Sequence, residues 1–99
     1  LSQTFSLPFI PQYATNNAHM YYVLCSTLEE RTDFIAKMKK QGVHPVFHYQ
    51  SLHVSEFYKH KHDGRLLPHA DRYTDCLVRL PLFYEIDENK VIEAVLNCY

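Results

Sequence analysis

Tryptophan is absent from the 99 residues, and glycine occurs only at Gly42 and Gly64. So little glycine excludes the glycine-rich turns that cradle phosphates, and also the tight turn on which a nucleophilic serine or cysteine is usually raised. An excess of one charge is missing too. Ten Lys and Arg face eleven Asp and Glu, for a formal net charge of -1, which gives no basic footprint for nucleic acid. No apolar run approaches the ~18–20 residues of a membrane span, and the basic-then-apolar order of a signal peptide is lacking, so no membrane partner is expected. Cys25, Cys76 and Cys98 are an odd number with no C-x-x-C pair, which suits neither a disulfide framework nor a zinc ribbon. A reducing, cytoplasmic setting is the expectation.

What is present is an ordinary globular composition, with 46% hydrophobic, 14% aromatic and 21% charged residues. A chain of this size buries roughly 60–68% of its unfolded surface, enough for one core but small for a complete enzyme. It begins at Leu1 and is read as a piece of something longer. Residues 1–17 mix apolar residues with Pro8, Pro11, Asn16 and Asn17 in no period, and read as a connector from a missing large domain, lying against a surface. Residues 18–99 form the domain.

The run from His19 to Cys25 is dense in aromatic and β-branched residues and predicts a first strand buried on both faces. Ser26 or Thr27 can cap a helix, with Glu29 and Glu30 each three residues on to complete a capping box. Leu28, Phe34, Ile35 and Met38 make its apolar face, Lys37, Lys39 and Lys40 suit its C-terminal dipole, and Gly42 suits a left-handed stop, so the helix spans 28–41. Val43 to Tyr49 predicts a second strand, with Pro45 marking an edge or the strand's start. Residues 50–68 have no steady period and read as a long excursion. A second helix follows an Asp71-Arg72 start, leading into a third strand at Val78 to Phe83. Asp87 caps a last helix whose stripe is Val91, Ile92, Val95 and Leu96. The predicted class is α+β: a small three-stranded, mostly antiparallel sheet in the order β-α-β-α-β-α, with a crossover between the first two strands and helices on one face.

Seven histidines are the compositional oddity. His44 and His48 lie about 13 Å apart along a strand rising ~3.3 Å per residue, too far for one metal, and no metal site is expected. Cys25 and Cys76 fall on apolar faces and read as small packed hydrophobes. The acid pairs Glu29-Glu30 and Asp87-Glu88 stand at helix starts, where capping explains them. Tyrosines and phenylalanines cluster near His48 and His53 and would wall a pocket for a polar small molecule.

Three stretches are more specific: Asn17-x-His19-Met20-Tyr21-Tyr22; Val46-Phe47-His48-Tyr49-x-x-Leu52-His53; and Asp71-Arg72-Tyr73-Thr74 followed by Val78-Arg79-Leu80-Pro81-Leu82-Phe83-Tyr84. In order and spacing they resemble the C-terminal part of the DegT/DnrJ family of sugar aminotransferases, closest to dTDP-4-keto-6-deoxy-D-glucose transaminases. The resemblance implies the small domain of a homodimeric fold-type I enzyme using pyridoxal phosphate. Such an enzyme moves an amino group from glutamate to the 4-keto carbon of a nucleotide-linked sugar, for surface polysaccharide synthesis. It implies that the aldimine lysine and phosphate cup belong to the large domain, so this chain has no catalytic or cofactor-binding residue and is silent alone. It also implies that His48 faces the sugar nucleotide, with Tyr49 and His53 beside it. Ser51 stands where related sequences carry Pro. Arg79 reads as a surface ion-pair partner, with a substrate or interface cation as the alternative, and is left out of the site. Two rivals remain open from the residues: a free-standing α+β module binding a small ligand or partner, and a histidine metal protein.

Overall fold

The computed structural model describes residues 5–99. In chain order the elements are β1 (Tyr21–Leu24), α1 (Leu28–Lys40), β2 (Val46–Phe47), a 3-10 turn (Leu52–Val54), α2 (Pro68–Cys76), β3 (Leu77–Leu80) and α3 (Glu88–Leu96). The three strands make one antiparallel sheet in the order β1-β3-β2, the expected α+β architecture. β3 lies between the first two strands, so the β1-α1-β2 crossover joins strands that are not neighbours.

Local chemistry sets the helix ends. The Thr27 hydroxyl accepts the Glu30 N–H at 3.1 Å, and the Glu30 carboxylate accepts the Ser26 N–H at 2.8 Å, so two residues share the capping box. Gly42, at φ +78, takes the left-handed position just after α1. Asp87 caps α3 by accepting the Lys90 N–H. α2 starts at Pro68 rather than Asp71, with proline in the first turn, where its missing N–H costs nothing. β2 is two residues long instead of seven: it begins only after Pro45, which has no N–H for the ladder, and Tyr49 at φ +54 turns the chain out after it. The 50–68 excursion is locally ordered: Lys59 and His62 donate their N–H groups to the carbonyls of Ser55 and Tyr58.

Side chains alternate across the sheet and give it two unlike faces. On one, Val23 and Val78 pack with Phe34 and Met38 of α1 and Ala94 and Val95 of α3, all essentially excluded from water. Phe5 joins this core, its ring 5.0 Å from Phe34 and 5.5 Å from Tyr99, and Ser6 exchanges two 3.0 Å backbone hydrogen bonds with Leu24. The 1–17 segment thus enters the core at Phe5; its first four residues lie outside the described residues. The other face holds a smaller cluster, Leu24, Cys76 and Leu77 with Tyr22 against it. Next to that cluster Arg79 sits opposite Tyr22 on β1 and Val46 on β2. The first strand is buried on both faces only at Val23 and Leu24, which point opposite ways; Tyr21 is exposed and Tyr22 half-buried.

Candidate functional site

β2 stops at Phe47, and the next two residues are His48 and Tyr49. Both are exposed, Tyr49 to 65%, with ring centroids 5.0 Å apart. A tyrosine in the left-handed region pays a steric cost that glycine or asparagine would avoid, and such residues concentrate where a side chain must be aimed. A cavity of about 340 Å³ opens beside them, walled by Gln50, Ser51, Tyr73, Thr74 and Leu77. Ser51 fixes the floor: its hydroxyl hydrogen-bonds the Thr74 hydroxyl, which donates to the Ala70 carbonyl at 2.9 Å. The serine thereby ties the chain after Tyr49 to α2. Arg31 adds a second tie, donating from Nη1 to the Thr74 carbonyl at 3.0 Å while its guanidinium lies 5.3 Å from the Phe47 ring centroid.

His53 is separated from this pair. It sits in the 3-10 turn and lines a neighbouring cavity of about 510 Å³ with Tyr58, Lys61, His62 and Arg65. Its Nε2 is 2.7 Å from the Asp71 carboxylate, and its ring centroid is 5.5 Å from that of His62. The structure thus brings His48 and Tyr49 together and places His53 in the next cavity, held by a partner on α2. Ser51 lines both cavities.

The residue that sequence reasoning set aside is Arg79. It is not a surface ion-pair partner: its side chain is half-buried, no acid lies within ion-pair distance among the described residues, and its buried Nε has no hydrogen-bond acceptor. Its guanidinium carbon lies 5.1 Å from the Tyr49 ring centroid. The signal was in the sequence. In Leu77-Val78-Arg79-Leu80, a period of two puts Arg79 on the face away from Val78, beside the strand that delivers Tyr49.

The remaining chemistry-bearing groups are differently placed. Every lysine is exposed, Lys37 paired with Asp33 and Lys59 with Glu56, so none has the desolvated setting that would suit it for an imine with a carbonyl cofactor. The residues described do not by themselves fit pyridoxal phosphate. Cys25, Cys76 and Cys98 are buried free thiols. Burial pushes the Cys25 thiol from 9.0 up to about 12, with the Glu30 carboxylate acting in the same direction, so it is a packing group at neutral pH. No cluster of three or more His, Cys, Asp or Glu is arranged for a metal ion among the described residues, and no helix there is long and apolar enough to cross a membrane.

Comparison with known proteins gives these features a context. The model of the DegT/DnrJ/EryC1/StrS aminotransferase family matches residues 1–98. Among solved structures, the aminotransferase TlmJ from Streptoalloteichus hindustanus superposes with a TM-score of 0.79 at 27% identity, over 99% of this chain and 26% of that one. Spr1654 from Streptococcus pneumoniae, described as a sugar aminotransferase and solved in a PMP form, gives 0.66 at 25% identity over 81% of this chain and 21% of that one. A family protein from Brucella abortus shares the fold at 19% identity, with a TM-score of 0.80 over 98% of this chain and 26% of that one. The chain spans about a quarter of the length of these neighbours.

Proposed function

This chain belongs to the DegT/DnrJ/EryC1/StrS aminotransferase family, and from that premise we propose that it is the small C-terminal domain of a pyridoxal-phosphate sugar aminotransferase. The parent moves an amino group from glutamate to the 4-keto carbon of a dTDP-linked 6-deoxy sugar, in the cytoplasm, for surface polysaccharide synthesis. The neighbours are named as aminotransferases, one of them as a sugar aminotransferase, which supports the coarser part of the reading. The cofactor supplies the amino-carrying chemistry and belongs to the parent's large domain, as does most of the homodimer interface.

The observation that carries the reading for this chain is the pose of Tyr49, left-handed, exposed and beside His48 at the end of a strand. An exposed pair of amphipathic rings on a short strand end suits the hydroxyls and ring faces of a sugar. In this reading His48 and Tyr49 bind and orient the sugar nucleotide, and His53, fixed by Asp71, shapes the neighbouring wall. None of the three moves a substrate proton.

The test is to express the complete parent polypeptide and follow a keto-sugar nucleotide with glutamate by mass spectrometry. The expected product is the aminosugar nucleotide. His48→Ala should raise KM for the sugar nucleotide roughly tenfold, the loss of one good hydrogen bond, with KM for glutamate unchanged. A parent that leaves the keto sugar intact, or a 99-residue chain that converts it alone, sinks the reading.

A further inference from the structure

Arg79 is unlike the other arginines whose partners the structure shows. Arg65 is paired with Asp63 at 2.5 Å, and Arg31, whose Nε is likewise buried without an acceptor and which lies over the Phe47 ring, still donates from Nη1 to the Thr74 carbonyl. Arg79 has no acid within reach among the described residues, although it is half-buried and flanked across the sheet by Tyr22 and Val46. Leaving the buried Nε–H without an acceptor is costly, and the two terminal nitrogens are the donors left to meet a ligand. Tyr49 answers only part of that need. The guanidinium carbon sits 5.1 Å from the centroid of its ring, a cation–π contact that supplies no oxygen acceptor to the N–H donors. Those donors form a flat fork that matches two coplanar oxygens. The backbone strain at Tyr49 and the unpaired Nε of Arg79 come from different parts of the chain, yet they meet at one contact.

We infer that Arg79 is an oxyanion-binding residue of the open sheet face, its guanidinium steadied by Tyr49 and its free edge taking two oxygens of a carboxylate or a phosphate. The binding itself is a property of this chain. Its assignment to a substrate rests on the function proposed above, which offers two sources: the diphosphate of the nucleotide sugar and the carboxylates of the amino donor.

The first experiment titrates the 99-residue chain, labelled with nitrogen-15, with inorganic phosphate, thymidine diphosphate or glutamate, using chloride at matched ionic strength as the control. The expected result is a saturable shift of the Arg79 Nε–H and Tyr49 ring resonances with at least one of the three and none with chloride. Arg79→Gln should weaken that binding roughly tenfold or more, and Arg79→Lys, which keeps the charge but not the fork, should recover only part of it. Absence of any saturable shift in the unsubstituted chain overturns the inference without depending on whether a variant folds. So does a shift that persists in the glutamine variant.

The second experiment places Arg79→Gln in the complete parent enzyme. A raised KM for the nucleotide sugar alone identifies phosphate as the ligand, and a raised KM for glutamate alone identifies carboxylate. If neither KM moves, the substrate site is overturned and Arg79 becomes a cation for another part of the polypeptide. A parent with no aminotransferase activity, together with a positive titration, removes the proposed function and leaves the oxyanion site standing.

Discussion

The two faces of this sheet are built from the same strands and obey different rules. On the helix-covered face Phe34, Met38, Val23 and Val78 are at most 1% exposed, and no polar or charged residue is buried among them. On the open face Arg79 lies between Tyr22 and Val46, its Nε without an acceptor, while Tyr49 holds a strained backbone against it. Hydrophobic burial explains the centre of the first face; at its margin, beside Phe47, Arg31 is the one group of that face with a buried unpaired N–H among the described residues. It does not explain the second, where a charge and a left-handed tyrosine each cost free energy that the described residues do not return. The contrast separates residues that make the fold from residues that the fold holds in place for another purpose.

The sharpest way to break the contrast is to damage the covered face. Phe34→Ala should remove about 3–5 kcal/mol, a large share of the stability of a small domain, because the ring is enclosed by Phe5, Tyr99 and the sheet. A loss of unfolding free energy in urea of less than about a third of this would mean that the core is loosely packed. Alkaline pH attacks the same face. The Cys25 thiol is held up near 12 in the folded chain against 9.0 in the open, so unfolded molecules release that proton first, and stability falls as pH rises from about 9 to 12. Cys76 and Cys98 are raised by burial in the same sense. Thermal melts should therefore be flat through neutral pH and slope downward above 9, and Cys25→Ala should flatten part of the slope; an unchanged slope would free Cys25 from the account. The smallest effect belongs to the open face. Tyr49→Gly removes the left-handed strain and the stacking together, so stability should move by less than about 1 kcal/mol in chemical denaturation. A loss like that at Phe34 would make Tyr49 a core residue and erase the distinction between the faces.

Much of the covered face was legible in the sequence, because its determinants are local. The Thr27 cap, the Phe34 and Met38 stripe, the Gly42 stop and the Asp87 cap each follow from residues within a few positions of one another. Strand order was not legible. Whether β3 pairs with β1, β2 or both depends on contacts between distant segments, and no short pattern encodes them. The length of β2 was misjudged because alternation runs from Val43 to Tyr49 in the sequence, while the ladder starts only after Pro45 and ends two residues before a backbone turn that tyrosine rarely adopts. Pro68 was a usable sign for the start of α2 that the Asp71-Arg72 reading passed over. At the site, His48, Tyr49 and His53 came from family resemblance, whereas the Asp71 partner of His53 and the Tyr49 partner of Arg79 required the chain to be folded.

The short hydrogen-bonded bridge between Ser6 and Leu24 has a bearing on how this sheet avoids other molecules. β1 is an outer strand, and a bare outer strand is a template on which a neighbouring chain can add its own. Ser6 occupies both Leu24 backbone groups at that edge. At the opposite edge β2 is only two residues long and follows Pro45, which has no N–H to offer. Among the described residues, strand addition is thus hindered at Leu24 on one margin and by the brevity of β2 on the other. Removing Phe5 and Ser6 would free the Leu24 backbone groups while loosening the core behind them.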